Sequence, residues 1–138
     1  MLSVLGMSTG LAKLRAQIKL VHEVGCRHVG LWPDAHAEFQ KLDERKRGRL
    51  TRIFANFGTG LPLPSEQFNN EGRYPTGGKQ SKEILIQAFK VWQFRIYGTM
   101  VTFDKTPTFV GMSTDWKKQN NADQALLRRT ARMFSEFL

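Results

Sequence analysis

Aliphatic, β-branched and aromatic residues crowd the stretch from Lys82 to Lys118, KEILIQAFKVWQFRIYGTMVTFDKTPTFVGMSTDWKK, in three runs. Ile84, Leu85, Ile86, Ala88 and Phe89 make the first, Phe94, Ile96, Tyr97, Val101 and Phe103 the second, and Thr108, Phe109 and Val110 a short third; three consecutive strands are expected. Asp104-Lys105-Thr106-Pro107 joins a turn-favouring carboxylate to a proline that cannot donate to a ladder, which predicts a hairpin between the second and third runs. The first connection, Val91-Trp92-Gln93, lacks glycine.

Elsewhere the period is helical. Leu11, Leu14, Ile18 and Val21 recur in GLAKLRAQIKLVHE (10–23) with cations between them, predicting an amphipathic helix that Gly25 ends. Residues 26–32 alternate as a strand. Pro33 and Asp34 then suit a helix start, followed by the apolar stripe Ala35, Phe39 and Leu42. ERKRGRLTR (44–52) holds five cations in nine residues, with Gly48 the expected break before a second helix through Leu50, Ile53, Phe54 and Phe57. Residues 58–81 hold three prolines and five glycines and read as a long loop. A closing helix, capped by Asn121 or Asp123, presents Leu126, Leu127, Thr130, Met133 and Phe134 on one face.

These elements predict an α+β domain: a small antiparallel sheet (84–114) packed against an N-terminal helical hairpin from about Pro33 to Phe57, a C-terminal helix from about Asn121 to Phe137, and a peripheral helix ahead of them.

Charge narrows the class of partner. The chain has 138 residues, 21 Lys and Arg against 12 Asp and Glu, and a formal net charge of +9. Such an excess favours a polyanion: RNA, DNA, a ribosome surface or an acidic protein segment. The single cysteine, Cys26, excludes an intramolecular disulfide and a thiol zinc cluster, and His22, His28 and His36 lack ligand spacing, so neither metal nor cofactor is expected. No signal peptide or membrane span is read, which points to the cytoplasm.

In a meander, Lys90 and Arg95 lie close across the first turn, and an anion between them relieves their repulsion. Arg95 and Tyr97, two apart in a strand, share a face, and Lys117 and Lys118 follow the last strand. In the expected loop, Arg73, Tyr74 and Lys79 offer a guanidinium, a ring and an amine to clamp a phosphate and stack on a base. Arg128, with Arg129 and Arg132, adds charge on the last helix. The bland alternative for each cation is a solvated surface position.

The order AFKxxQFRIYG, FVG, WKK and ADQALLRRTARMF resembles the C-terminal half of the RelE/HigB superfamily of toxin–antitoxin toxins, and the likeness extends upstream to Trp32-Pro33-Asp34-Ala35 and the helix after it. It covers about residues 26–138 and leaves 1–25 as an N-terminal helical extension. The resemblance implies a RelE-like fold, ribosome-dependent cleavage of messenger RNA without a metal, and a small acidic antitoxin as partner. By position it implies that Lys90, Arg95 and Lys117, with Tyr97, serve the scissile phosphate, and that Arg73, Tyr74, Lys79, Lys118 and Arg128 bind RNA. No histidine lies in the sheet or near the C-terminus, where several members carry one. Members that inhibit gyrase without cleaving RNA, and non-catalytic binding to nucleic acid or the ribosome, leave two alternatives open.

Overall fold

Alternation along the first two apolar runs sorts their side chains onto two faces, and both faces are buried. In the computed structural model, which describes residues 7–79, 82–117 and 123–138, Ile84, Ile86 and Ala88 of β4 (Glu83–Val91) join Tyr97, Val101 and Phe103 of β5 (Phe94–Phe103) in one core. The intervening Phe89, Val91, Phe94 and Ile96 enter a second core on the opposite face. A strand buried on both sides has no solvated face left to carry polar alternation, so both runs read as almost continuously apolar.

The remaining elements cover these faces. Against the second core pack α2 (Pro33–Gln40), through Ala35 and Phe39, and α3 (Glu44–Gly58), through Leu50, Ile53, Phe54 and Phe57. Against the first pack α1 (Thr9–Gln17), through Leu14, and α4 (Gln124–Arg132), through Leu127 and Ala131, with Phe134 and Phe137 from the turns that follow. Six strands make the sheet: β1 (Lys19–His22), β2 (His28–Leu31), β3 (Phe68–Pro75), β4, β5 and β6 (Thr106–Trp116), in the order β1-β2-β6-β5-β4-β3. Every neighbouring pair is antiparallel except β2 and β6, which run parallel with Val29 opposite Phe109.

This architecture corrects the expected fold class. The described residues form a mixed α/β fold with six strands and four helices; β1 and β2 precede α2 and α3, so the helical hairpin is not N-terminal and the RelE-like layout of a small antiparallel sheet is not met. Two of the strands were not expected at all. Residues 19–22 continue the helical spacing in sequence, but the chain turns extended at Ile18 (ψ 151°) and pairs along β2. Within the expected loop, FNNEGRYP has little β propensity of its own and becomes a strand by pairing along β4 from Phe68–Phe89 to Pro75–Glu83.

Smaller corrections have local causes. Gly48 lies inside α3; the break falls at Lys41–Asp43, where the Asp43 carboxylate caps α3 by accepting from the Lys46 backbone N–H at 2.8 Å. Gly25 belongs to the β1–β2 connection at φ 91°, not to a helix end. Pro107 sits in β6 opposite Thr102, and the hairpin turn is Asp104-Lys105, both residues with positive φ. Asp123 caps α4, which ends at Arg132; Asn121 lies outside the described residues. Gly98, in the QFRIYG run, faces the Val110 carbonyl so closely that a Cβ would collide with it, where the β5–β6 register shifts.

Nor is α1 peripheral. Ser8 caps it, and Leu14 is 0% exposed beneath it. Leu14→Ala should therefore cost about 2–5 kcal/mol in urea unfolding, and Leu11→Ala, at a half-buried position, clearly less. Equal and negligible effects would mean that α1 lies outside the core.

Candidate functional site

Strand register gathers five charged side chains at one end of the sheet. Lys90 on β4 stands opposite Arg95 on β5, which stands opposite Asp115 on β6. Glu71, from the irregular stretch of β3 between Asn70 and Gly72, comes within 3.9 Å of Lys90 Nζ, and Lys117, just past β6, lies 3.8 Å from Asp115. Across the sheet the signs run minus, plus, plus, minus, plus. Sequence reasoning found the cations and missed both carboxylates, although Asp115 stands two residues before Lys117 and alternation alone puts them on one side.

Arg95 differs from its neighbours. Lys90 and Lys117 each have a carboxylate, whereas Arg95 Nη1 donates to the Trp92 carbonyl at 3.0 Å and the Phe94 carbonyl at 3.5 Å and meets no carboxylate at ion-pair distance among the described residues. Glu83, a carboxylate on the neighbouring strand that could have held it, sits at the far end of β4. Burial pulls the Lys90 ammonium below its ordinary range; Glu71 pushes it back up, and Arg95 adds a repulsion that lowers it. The row therefore combines a guanidinium without a counter-ion and an ammonium whose proton is easier to remove.

Tyr97 lies on the face of Arg95, under α4, but it is 1% exposed and its hydroxyl has no hydrogen-bond partner among the described residues. Burial raises the phenol pKa, the charges of Glu71, Asp115 and Asp123 raise it further, and Arg95 opposes them. A sealed phenol that keeps its proton can neither reach a substrate nor act as a base. Its role is to fill the core beneath the row.

The other expected RNA contacts are dispersed. Arg73 is exposed on β3, and the Tyr74 hydroxyl donates to Gln124 Oε1 at 2.6 Å, which ties β3 to α4 and occupies the phenol. Lys79 lies past the Pro75 end of β3, whereas Lys90 lies near the Phe68 end, about 20 Å away along the strand. Arg128 is exposed on α4, and Lys118 lies outside the described residues. A cavity of about 500 Å³ opens where β4 and β5 part beyond Gln87 and Gly98, but its walls include Ile84, Leu85, Met100 and Phe137, and Lys82 is the one ionisable side chain among the described residues that line it. Among the described residues no group of three or more His, Cys, Asp and Glu is set to hold a metal, and no helix is long and apolar enough to cross a membrane.

At the turn beside the row, Trp92 is 78% exposed with φ 56°. For a bulky residue this left-handed conformation costs on the order of 1–3 kcal/mol, and burial returns almost nothing here. Trp116, 52% exposed, stacks on Phe94 at 5.1 Å across the next strand pair. Spacing in the sequence does not reveal that both rings are exposed, because exposure depends on the tertiary structure. Comparison with protein-family models, curated proteins and solved structures yields no match.

Two variants test this description. Tyr97→Phe removes a buried hydroxyl without a partner and should stabilise the fold by about 1 kcal/mol at neutral pH. The unfolded phenol ionises near pH 10 while the folded one stays protonated, so the native state loses ground above that pH; the wild type should weaken relative to Tyr97→Phe as pH rises through 10 to 11 in urea titrations. Trp92→Gly should leave the melting temperature unchanged or higher, because relief of the turn offsets the entropy glycine adds to the unfolded chain.

Proposed function

We propose that the chain is a cytoplasmic toxin that binds messenger RNA on the ribosome and cleaves it without a metal, restrained by a small acidic antitoxin. The observation that carries this reading is Arg95: a partly exposed guanidinium with no carboxylate at ion-pair distance among the described residues, between Lys90 and the Asp115–Lys117 pair. An in-line attack by the 2′-hydroxyl forms a 2′,3′-cyclic phosphate and expels the 5′-oxygen, which takes a proton. Arg95 holds the phosphate and stabilises its extra charge, and Lys117 and Lys90 flank it. Asp115 is the carboxylate available to accept the 2′-hydroxyl proton; Lys90, its affinity for protons lowered by burial, is the group available to supply one to the leaving oxygen. The order of the AFKxxQFRIYG and WKK motifs supports the same residues, and the net charge of +9 supports both the RNA and the acidic partner.

The second reading, binding without cleavage, draws on Glu71 and Asp115, which neutralise two of the three cations in the row. Induced expression with 5′-end mapping of transcripts separates the two. Cleavage should leave 5′-hydroxyl ends, and Arg95→Ala should reduce it about a hundredfold. Arg95→Lys should restore little, since an ammonium lacks the planar fork; Lys90→Ala and Lys117→Ala should have smaller effects, and Tyr97→Phe should cleave normally. Growth arrest with intact transcripts would sink the nuclease reading, and loss of DNA supercoiling would point to a gyrase inhibitor.

A further inference from the structure

Beside the charged row, on the opposite side of the β4–β5 hairpin, a groove of about 380 Å³ is lined by Arg45, Lys46 and Arg49 of α3 together with Val91 and Trp92. Three observations make it more than a crevice. Trp92 keeps a left-handed backbone while exposing 78% of its surface, so neither burial nor local geometry accounts for a large ring at that turn. Arg45 and Arg49 stand one helical turn apart, a like-charge spacing that destabilises a helix unless an anion lies between them, and among the described residues neither has a carboxylate at ion-pair distance. Lys46, by contrast, is held by Asp43 at 2.6 Å, which leaves the two guanidinium groups as the free charges of the groove.

We propose that this groove is a subsite for single-stranded RNA, in which one base stacks on Trp92 and the flanking phosphates lie against Arg45 and Arg49. The proposal rests on the reading that the charged row binds RNA, and extends the strand's path beyond that row. Arg95 links the two, because its guanidinium donates to the Trp92 carbonyl at 3.0 Å and so braces the turn that presents the ring. An aromatic face accepts any base and a guanidinium accepts any phosphate, so the subsite recognises an unpaired strand with little sequence preference. A duplex keeps its bases stacked inside and cannot offer one to the ring. An acidic peptide would satisfy the arginines but leave the ring without a partner.

Fluorescence anisotropy with the full chain tests the proposal, using a labelled single-stranded oligoribonucleotide, the same sequence as a duplex, polyphosphate and an acidic peptide. Trp92→Ala should weaken single-strand binding roughly tenfold or more, leave polyphosphate unchanged, and be largely rescued by Trp92→Phe. Arg45→Ala with Arg49→Ala should lower the slope of log affinity against log salt by about 1.4. Circular dichroism of each variant checks the fold. Normal single-strand binding by Trp92→Ala, with a loss in Arg95→Ala, would overturn this subsite and keep the charged row; no RNA binding by the wild type would overturn both. Acidic-peptide binding that depends on Trp92 would assign the groove to a protein instead.

Discussion

A sheet covered on both faces can present chemistry only at its edges and ends. Phe54, Phe57, Phe89 and Phe109 fill one side, and Leu14, Ile86, Phe134 and Phe137 the other. Burial of this kind dominates the stability of the fold. It also confines the functional surface to the places where strands turn. At the β4–β5 hairpin the antiparallel register puts Lys90, Arg95 and Asp115 in one row, while the Trp92–Gln93 turn carries an aromatic ring out past the end of the ladder.

Net charge alone does not locate the unpaired cations. Of the positive residues near this end of the sheet, Lys46, Lys90 and Lys117 are each answered by a carboxylate, and their individual attraction for a polyanion is reduced accordingly. Among the described residues, Arg45, Arg49 and Arg95 are not. An unanswered guanidinium is a stronger indication of an anion than a dense run of positive residues, because it is the group whose charge the folded chain leaves exposed to a partner.

Local composition made the strands from Glu83 to Val110 and the helices after Pro33 legible, since β-branched runs and apolar stripes report the period directly. Two strands escaped for opposite reasons. β1 sits in residues whose spacing also fits a helix, so only the extended backbone at Ile18 reveals it, and β3 has polar residues that become a strand through pairing with β4. The expected layout failed because β1 and β2 precede the helical hairpin and β2 joins the sheet parallel to β6. At the site, the proximity of Lys90 and Arg95 followed from a hairpin, but the sealed position of Tyr97, the two carboxylates and the groove against α3 depend on how distant segments meet, which no local pattern encodes.

The parallel pairing of β2 with β6 sets when the molecule can form. His28 meets Thr108, and β6 is also the strand that brings Asp115 to Arg95. Closing a loop of that span is slow compared with forming a hairpin, and it needs every element from β2 to β6. During synthesis the two helices and the β4–β5 hairpin emerge first, and the sheet can close only after β6 leaves the ribosome. A nascent chain therefore carries Lys90 and Arg95 before it carries the strand that sets Asp115 opposite Arg95.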